Sequence, residues 1–484
     1  MLKKTDPSII QSYLEDSSNL KGGFAEGIFL PENEKETAES LKECTEKSIP
    51  LTISGGTTGT TGGCIPFGGW ILGTEKLNKI IDINTKKRFA IIQPAVTLDA
   101  LEAELKKVKL LYPPDPTEST AFLGGTVATN ASGSRSFRFG ATRDWVQRLK
   151  VLLATGEALD ITRGQHKAKE TFFEILNTKS EILNKFKIPN YQIPNTKTSA
   201  GYYSKPDMDL IDLFIGSEGT LGIVTEIEIN LIPCFHDTFD VIAFFPSEND
   251  AVGFVEDAKK KDILTIEFFD RNSLNLLRSS YSHIPEKAGS AVYMETEIKP
   301  DAGISYLENW GNLLEKCKAK LDDAWYGMTE KQKEELKKFR HSMPEHINEE
   351  FKKHNTIKFA SDIAVPDNKF REMLAFYNSQ LTIYNSRLLW VKFGHIGQNH
   401  LHVNLVPKTQ DDIPLAKDLI MKFVKKGIEL GGTCSAEHGI GKIKHPYLKE
   451  MFGDAGIAEM VRIKKLFDPT CILNQGNVFP KSLL

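Results

Sequence analysis

Directly behind the β-rich run PLTIS stands SGGTTGTTGG, residues 54–63, and TGGCIPFGG then leads into a second β-rich run, WILGT. A loop of this composition between two strands constrains the chain more than any other stretch. Glycines without a Cβ let backbone N–H groups close round an anion such as a pyrophosphate. Yet the run lacks GxGxxG spacing, contains no Walker motif, and is followed by proline and more glycine instead of a helix. An anion here would be held by extended backbone, with the hydroxyls of Thr57, Thr58, Thr60 and Thr61 as further donors. The alternative is a plain flexible turn, as it is for LGGTVATNASGS (123–134) and GSEGTLG (216–222). Three such loops within one half of the chain argue against three unrelated turns.

From Phe29 to about Thr225 helical patterns (KETAESLKECTEKS, TLDALEAELKKV) alternate with strand patterns (FAIIQPA, LKVLLATG, GIVTEIEINLIP), each break marked by Gly or Pro, which reads as α+β. After Pro233 the pattern changes to FHDTFDVIAFFP and then to charged, helix-period segments such as TEKQKEELKKFRHSMPEHINEEFKKH. A last part opens at the turn Gly431-Gly432, runs through AEMVRIKKLFDPTCIL as a helix with a proline stop, and ends NQGNVFP. Parts 1–233, 234–430 and 431–484 fit the two or three domains expected of 484 residues. A formal net charge of -3 gives no footing for nucleic acid or a polybasic membrane contact, so small molecules are the expected partners. The start MLKKTDPSIIQSYLEDSSNL lacks the apolar centre of a secretory signal, and no run approaches the roughly 18 apolar residues of a membrane span. A cytoplasmic location is expected, with peripheral attachment at the inner membrane face left open. Six cysteines without a CxxC pair read as reduced thiols.

GHIGQNHLHVN, 394–404, holds three of the eleven histidines. Gly397-Gln398-Asn399 is turn chemistry, so the two pieces fold back as a hairpin and bring His395 towards His402, while His400, His402 and Asn404 alternate onto one face. Glu437, beside His438 in TCSAEHGIGK, offers a carboxylate to the same centre. Spacing alone leaves a second reading open, that of hydrogen-bonded core or surface histidines.

The ordered set SGGTTGTTGG, QPAVTLDAL, YPPDPTE, LGGTVATNASG, RFGATRDWV and GSEGTLGIVTE resembles the flavin-binding domain of the vanillyl-alcohol oxidase family, and within it the D-2-hydroxyacid dehydrogenase branch of D-lactate dehydrogenase, glycolate oxidase flavin subunit and D-2-hydroxyglutarate dehydrogenase. The resemblance extends over nearly the whole chain. It implies a PCMH-type FAD-binding domain of two α+β subdomains (1–233), an α+β cap that receives substrate (234–430), and a C-terminal segment (431–484) returning to the flavin. It places Gly55, Gly56, Thr57, Thr58, Gly59 and Thr60 at the pyrophosphate. Asp115, Pro116, Thr117, Gly124, Gly125, Thr129 and Asn130 would line the cofactor, Gly222 and Ile223 would meet its adenine side, and Asn474 would approach the flavin. The family's Arg-Gly-x-Gly is Ser54-Gly55-Gly56-Thr57 here, which removes a cation. The first histidine is His166, beyond the first two loops, so non-covalent FAD is expected.

The branch also carries GHxGDGNxHxN and SAEHGIG. By that likeness His395, His402 and Glu437 bind a divalent metal, zinc or manganese, and His438 is the base. Here Gln398-Asn399-His400 replaces Asp-Gly-Asn, which removes an acid from the turn and brings in His400 as a competing ligand. Arg340 in FRHSMPEH matches an arginine expected to grip the substrate carboxylate, with a solvated helix charge as its plain alternative and Lys358 as a weaker candidate. The implied activity is oxidation of a D-2-hydroxy acid (lactate, glycolate or 2-hydroxyglutarate type) to the 2-oxo acid, with hydride to flavin N5. An acceptor of quinone, cytochrome or electron-transfer-flavoprotein type follows, and a homodimer is compatible. Two alternatives stand beside it. One is a flavin-binding subunit of a larger oxidase without its own catalysis, the other an ether-lipid-synthase-like transferase, against which Glu437 and His402 speak.

Overall fold

The computed structural model describes residues 2–174, 184–301 and 303–484. Its first sheet takes the order β1-β2-β4-β3, from Leu2–Lys4 (β1), Gly27–Leu30 (β2), Leu51–Ser54 (β3) and Trp70–Gly73 (β4). Strands β2 and β3 both run parallel to β4. The first crossover is the helix Glu34–Glu46, started by Asn33, whose side chain accepts from Glu36 N at 3.0 Å. The link from β3 to β4 contains no helix. It is the glycine run itself, leaving the carboxyl end of β3 as irregular backbone that is half-buried at 55–58 and exposed at Gly59 and Thr60.

The second sheet is antiparallel, with order β5-β6-β9-β7-β8, from Ile80–Asn84 (β5), Phe89–Ile92 (β6), Val146–Leu152 (β7), Ala158–Thr162 (β8) and Ile223–Asn230 (β9). In β9 the sequence IVTEIEIN alternates buried and half-buried, so isoleucines 223, 227 and 229 enter the core while the acids face out. The stretch 123–134, read from sequence as a loop, begins as a short helix, Leu123–Thr129. Two glycines in its first turn hide it from propensity, but Leu123 and Val127, four apart and both fully buried, supply the apolar stripe. Asn130 ends it in the left-handed region with φ 49°.

The third sheet has eight strands: Asp237–Phe245 (β10), Thr265–Asp270 (β11), Ser290–Ile298 (β12), Trp325–Gly327 (β13), Phe359–Ala360 (β14), Ile363–Ala364 (β15), Leu388–Gly394 (β16) and His400–Pro407 (β17). Their order is β13-β10-β12-β11-β16-β17-β14, with β15 also paired to β17. The charged segment after Met328 forms two helices, Glu330–His341 and Met343–Lys353, broken at Ser342 because Pro344 cannot continue the first one.

The C-terminal part contains one long helix, His445–Phe467, with a break at Gly453 (φ 66°). It begins thirteen residues before the AEMVRIKKLF pattern, because Pro446 in its first turn favours an earlier start. The chain then returns to the edge of the first sheet. Leu51 N donates to Ile472 O (2.8 Å), Asn474 N to Leu51 O (2.9 Å), and Ile53 N to Asn474 Oδ1 (2.7 Å). Ahead of the helix, Gly441 (φ 53°) lies so close to the first glycine run that an added Cβ would stand 2.1 Å from Thr61 O. Gly441→Ala is therefore expected to destabilise the protein by about 2–5 kcal/mol, from left-handed strain and overpacking together. A thermal melt superimposing on wild type would contradict this docking. Among the described residues no helix is long and apolar enough to cross a membrane.

Candidate functional site

Strands β16 and β17 form the hairpin, with Phe393 opposite His402. Gly394 (φ 116°) is needed there, since a Cβ would meet the His402 ring at 2.8 Å. The turn is held despite its altered composition. Asn399 takes the left-handed conformation (φ 55°), and Gln398 Nε2 donates to Ser136 O at 3.1 Å, tying the hairpin to the backbone just beyond the second glycine-rich stretch. His395 and His402 rings come within 5.5 Å of one another, and His400 and His402 within 4.5 Å.

Glu437 reaches the same place from the C-terminal part. Its Oε1 lies 3.0 Å from His402 Nε2 and its Oε2 3.2 Å from His395 Nε2. Lys197 Nζ contacts Oε2 at 2.7 Å, and Ser132 of the second glycine-rich stretch donates to it at 3.2 Å. The loop bearing Glu437 and His438 is fixed by backbone bonds to buried side chains. Glu218, inside GSEGTLG, accepts from Ile440 N and Gly441 N, both at 2.7 Å, and Ser199 Oγ accepts from Gly439 N at 3.0 Å. His438 Nδ1 lies 3.2 Å from Asp362 Oδ2, which also accepts from Lys444 Nζ (2.6 Å) and Ser435 Oγ (2.8 Å).

Arg340 is buried, and Glu267 on β11 joins it to the cluster. One carboxylate oxygen lies 2.7 Å from His395 Nδ1 and the other 3.7 Å from Arg340 Nε. The solvated-helix reading of Arg340 therefore gives way to a cation in the interior beside the histidines. Lys358 donates to Asn348 at 2.9 Å, and burial lowers its pKa. It precedes β14, whose Ala360 lies opposite Asn404.

Charges in this centre are set by burial against close partners. Burial opposes ionisation of Glu437, yet His395 and Lys197 outweigh it and hold the carboxyl well below its ordinary range. Burial likewise opposes the charge of Asp362, and Lys444 and His438 prevail. Burial drives His400 down to about 3, helped by Lys197, and lowers His402. His395 goes the other way. Burial works against its charge, but Glu267 and Glu437, one at each nitrogen, raise it to about 9.

Neutral His402, an acceptor carboxylate in Glu437 and an imidazole backed by Glu267 make a donor set suited to a borderline divalent ion, and the donor atoms of His395, His400, His402 and Glu437 all lie within 4.8 Å of one another. Such an ion must displace the proton on His395 Nε2. Its affinity is therefore expected to climb with pH through about 9, where half of His395 has lost its proton. Calorimetric titration of zinc at pH 7 in two buffers of different ionisation enthalpy should report about one proton released per ion. Zero release would remove His395 from the ligand set.

The glycine-rich loops suit a bound dinucleotide. Thr57 adopts φ 54°, and the N–H groups of Gly56, Thr58, Gly59 and Thr60 find no acceptor among the described residues. Gly59 faces open space, a Cβ on Gly55 would meet only the Phe122 ring at 3.9 Å, and the Ser54 hydroxyl is buried without a partner. Lys442 donates to Gly63 O (3.1 Å) and Asn477 (2.6 Å), so a cation stands at this loop although Ser54 replaces arginine. Asp115 accepts from Ser134 at 2.9 Å and borders a small cavity with Pro116, Arg135 and Lys337, while Thr117 is exposed. Gly133 is required beside it, since a Cβ would meet Asp115 O at 1.8 Å. Gly125 opens outward, Gly124 packs on Pro94, and Thr129 donates back to Gly125 O. Asn130 accepts from Arg143 N at 3.0 Å. Gly222 packs against Val151 and Ile223 lies in the core, so both offer backbone alone. Asn474 donates to Glu218 O at 2.7 Å, joining the third stretch to β3.

Residues 240–478 match the family described as FAD linked oxidases, C-terminal domain, and residues 25–162 match the FAD binding domain. D-lactate dehydrogenase of Anaerostipes hadrus is 30% identical over 92% of this chain and 87% of its own length. The chain belongs to the FAD-linked oxidases. The glycolate oxidase subunit GlcD of Bacillus subtilis (strain 168) is 29% identical over 97% of this chain and 92% of its own. Among solved structures, 4-ethylphenol oxidase from Gulosibacter chungangensis shares the fold, with a TM-score of 0.69 over 100% of this chain and 95% of that one at 17% identity.

Within this FAD-linked oxidase the sequence reading missed Glu267, Lys197, Asp362, Ser132 and the anchoring role of Glu218. Glu267 had a signal, an acid between Ile266 and Phe268 in a strand pattern. Lys197 and Asp362 had none, because only the folded chain brings 197, 362 and 437 together.

Proposed function

We propose that this FAD-linked oxidase is a dehydrogenase that converts a D-2-hydroxy acid to its 2-oxo acid and hands the electrons to an acceptor of quinone, cytochrome or electron-transfer-flavoprotein type. The observation that carries the reading is the meeting of Glu437 with Ser132. Through it the histidine cluster abuts the second glycine-rich stretch of the FAD-binding part. The similarity to D-lactate dehydrogenase and a glycolate oxidase subunit supports the substrate class.

His395, His402 and Glu437 would hold a divalent metal, zinc or manganese, which when bound acts as a Lewis acid on a coordinated hydroxyl. The first glycine run and the second stretch would hold FAD without a covalent bond, and the cofactor supplies a two-electron acceptor. The protein's own groups do the rest. Arg340 grips the substrate carboxylate and fixes the orientation of the carbon bearing the hydroxyl. His438 takes the hydroxyl proton on Nε2. Its ring is 35% exposed where those of His395, His400 and His402 are 8%, 0% and 13%, so it is the imidazole a substrate can reach. Asp362, at Nδ1, sets the tautomer and stabilises the imidazolium that forms. Burial of the cluster excludes water from the reacting groups.

Purified protein should be yellow, and anaerobic addition of one of D-lactate, glycolate, D-malate or D-2-hydroxyglutarate should bleach the flavin band. Colour that persists through all four would favour the non-catalytic subunit.

A further inference from the structure

His400 stands where the resembled motif has asparagine, and its surroundings are those of a ligand. The ring is fully buried at the start of β17. Its Nδ1 faces the cluster, 3.4 Å from Lys197 Nζ and 4.0 Å from Glu437 Oε2. Its Nε2 faces Asp362 Oδ1 at 3.0 Å, but in an orientation that leaves both atoms without a hydrogen bond. Two buried polar atoms so placed favour completing a hydrogen bond with each other. A small turn of the ring would complete both, with Nε2–H donating to Asp362 and the Nδ1 lone pair aimed into the cluster. Glu267 already serves His395 in that way.

We propose that His400 is a fourth protein ligand, so that the metal centre comprises three imidazoles and one carboxylate, with Asp362 holding the outer nitrogen of the fourth group. The inference rests on the assignment of His395, His402 and Glu437 as ligands. All four donor atoms fall within 4.8 Å of one another, which is close to the span of ligands standing about 2.0–2.2 Å from one ion. Lys197 brings positive charge to the same two side chains, the place an entering ion would compete for. Three imidazole nitrogens and one carboxylate oxygen are a mixed donor set that would suit a divalent first-row transition ion.

Full-length wild type, His400→Asn and His402→Ala, each stripped with chelator and titrated with Co(II), give the test. The d–d absorption band and the calorimetric Kd are the readouts, and circular dichroism checks the fold. His400→Asn should bind Co(II) at least about 10- to 100-fold more weakly, with a shifted band. Unchanged affinity and an unchanged band in His400→Asn, with loss of binding in His402→Ala, would overturn the role of His400 alone. A wild type that takes up no Co(II) would overturn the three-ligand assignment along with it. X-ray absorption on Co(II)-loaded wild type needs no variant. Three imidazoles in the fit support the proposal, and two refute it.

Discussion

Replacing His438 with alanine is expected to lower kcat by about 10²- to 10⁴-fold, the usual contribution of a positioned base, while the protein stays folded and yellow. The ring is the most exposed of the four imidazoles, and its Nδ1 and its backbone N–H both meet Asp362 Oδ2. Its loss removes the proton acceptor and leaves the buried ion pair of Asp362 with Lys444 to keep the loop in place. The loss should fall on kcat more than on KM, because Arg340 and the metal ligands remain. Asp362→Asn should act in the same direction through the tautomer. Turnover in His438→Ala within threefold of wild type would move the base elsewhere.

Glu437→Ala should have the larger structural effect. This carboxylate contacts Lys197, His395 and His402 at 2.7, 3.2 and 3.0 Å, with the ends of the first two shielded from solvent and His402 largely so. Removing it strands the Lys197 ammonium in the interior, for which about 3–5 kcal/mol of stability is the expected loss. Metal binding should disappear with it. Pairing the change with Lys197→Met separates the two effects. The double variant should regain much of the lost stability, since the stranded charge is gone, yet still bind no metal. A double variant as unstable as Glu437→Ala alone would mean that the ammonium is not what the carboxylate offsets.

Local chemistry in the sequence was enough to place much of this site. Gln398-Asn399 between two extended pieces foretells the hairpin, and glycine run 54–63, followed by proline, foretells a strand-to-strand link without a helix. The helix Leu123–Thr129 escaped notice because its apolar stripe rests on two residues while its glycines argue the other way. The early start of His445–Phe467 was masked by Gly453. Glu267, Asp362 and Lys197 belong to three separate segments, and no periodicity within one segment can report that they converge.

The return of the chain end to β3 bears on biosynthesis. Ile53 and Asn474 are bonded across 421 residues, so a ribosome exposes the cofactor loop long before the piece that locks it. Nascent chain of this kind carries a half-built nucleotide cleft through most of translation. The cleft is therefore complete only when nearly the whole chain has been made.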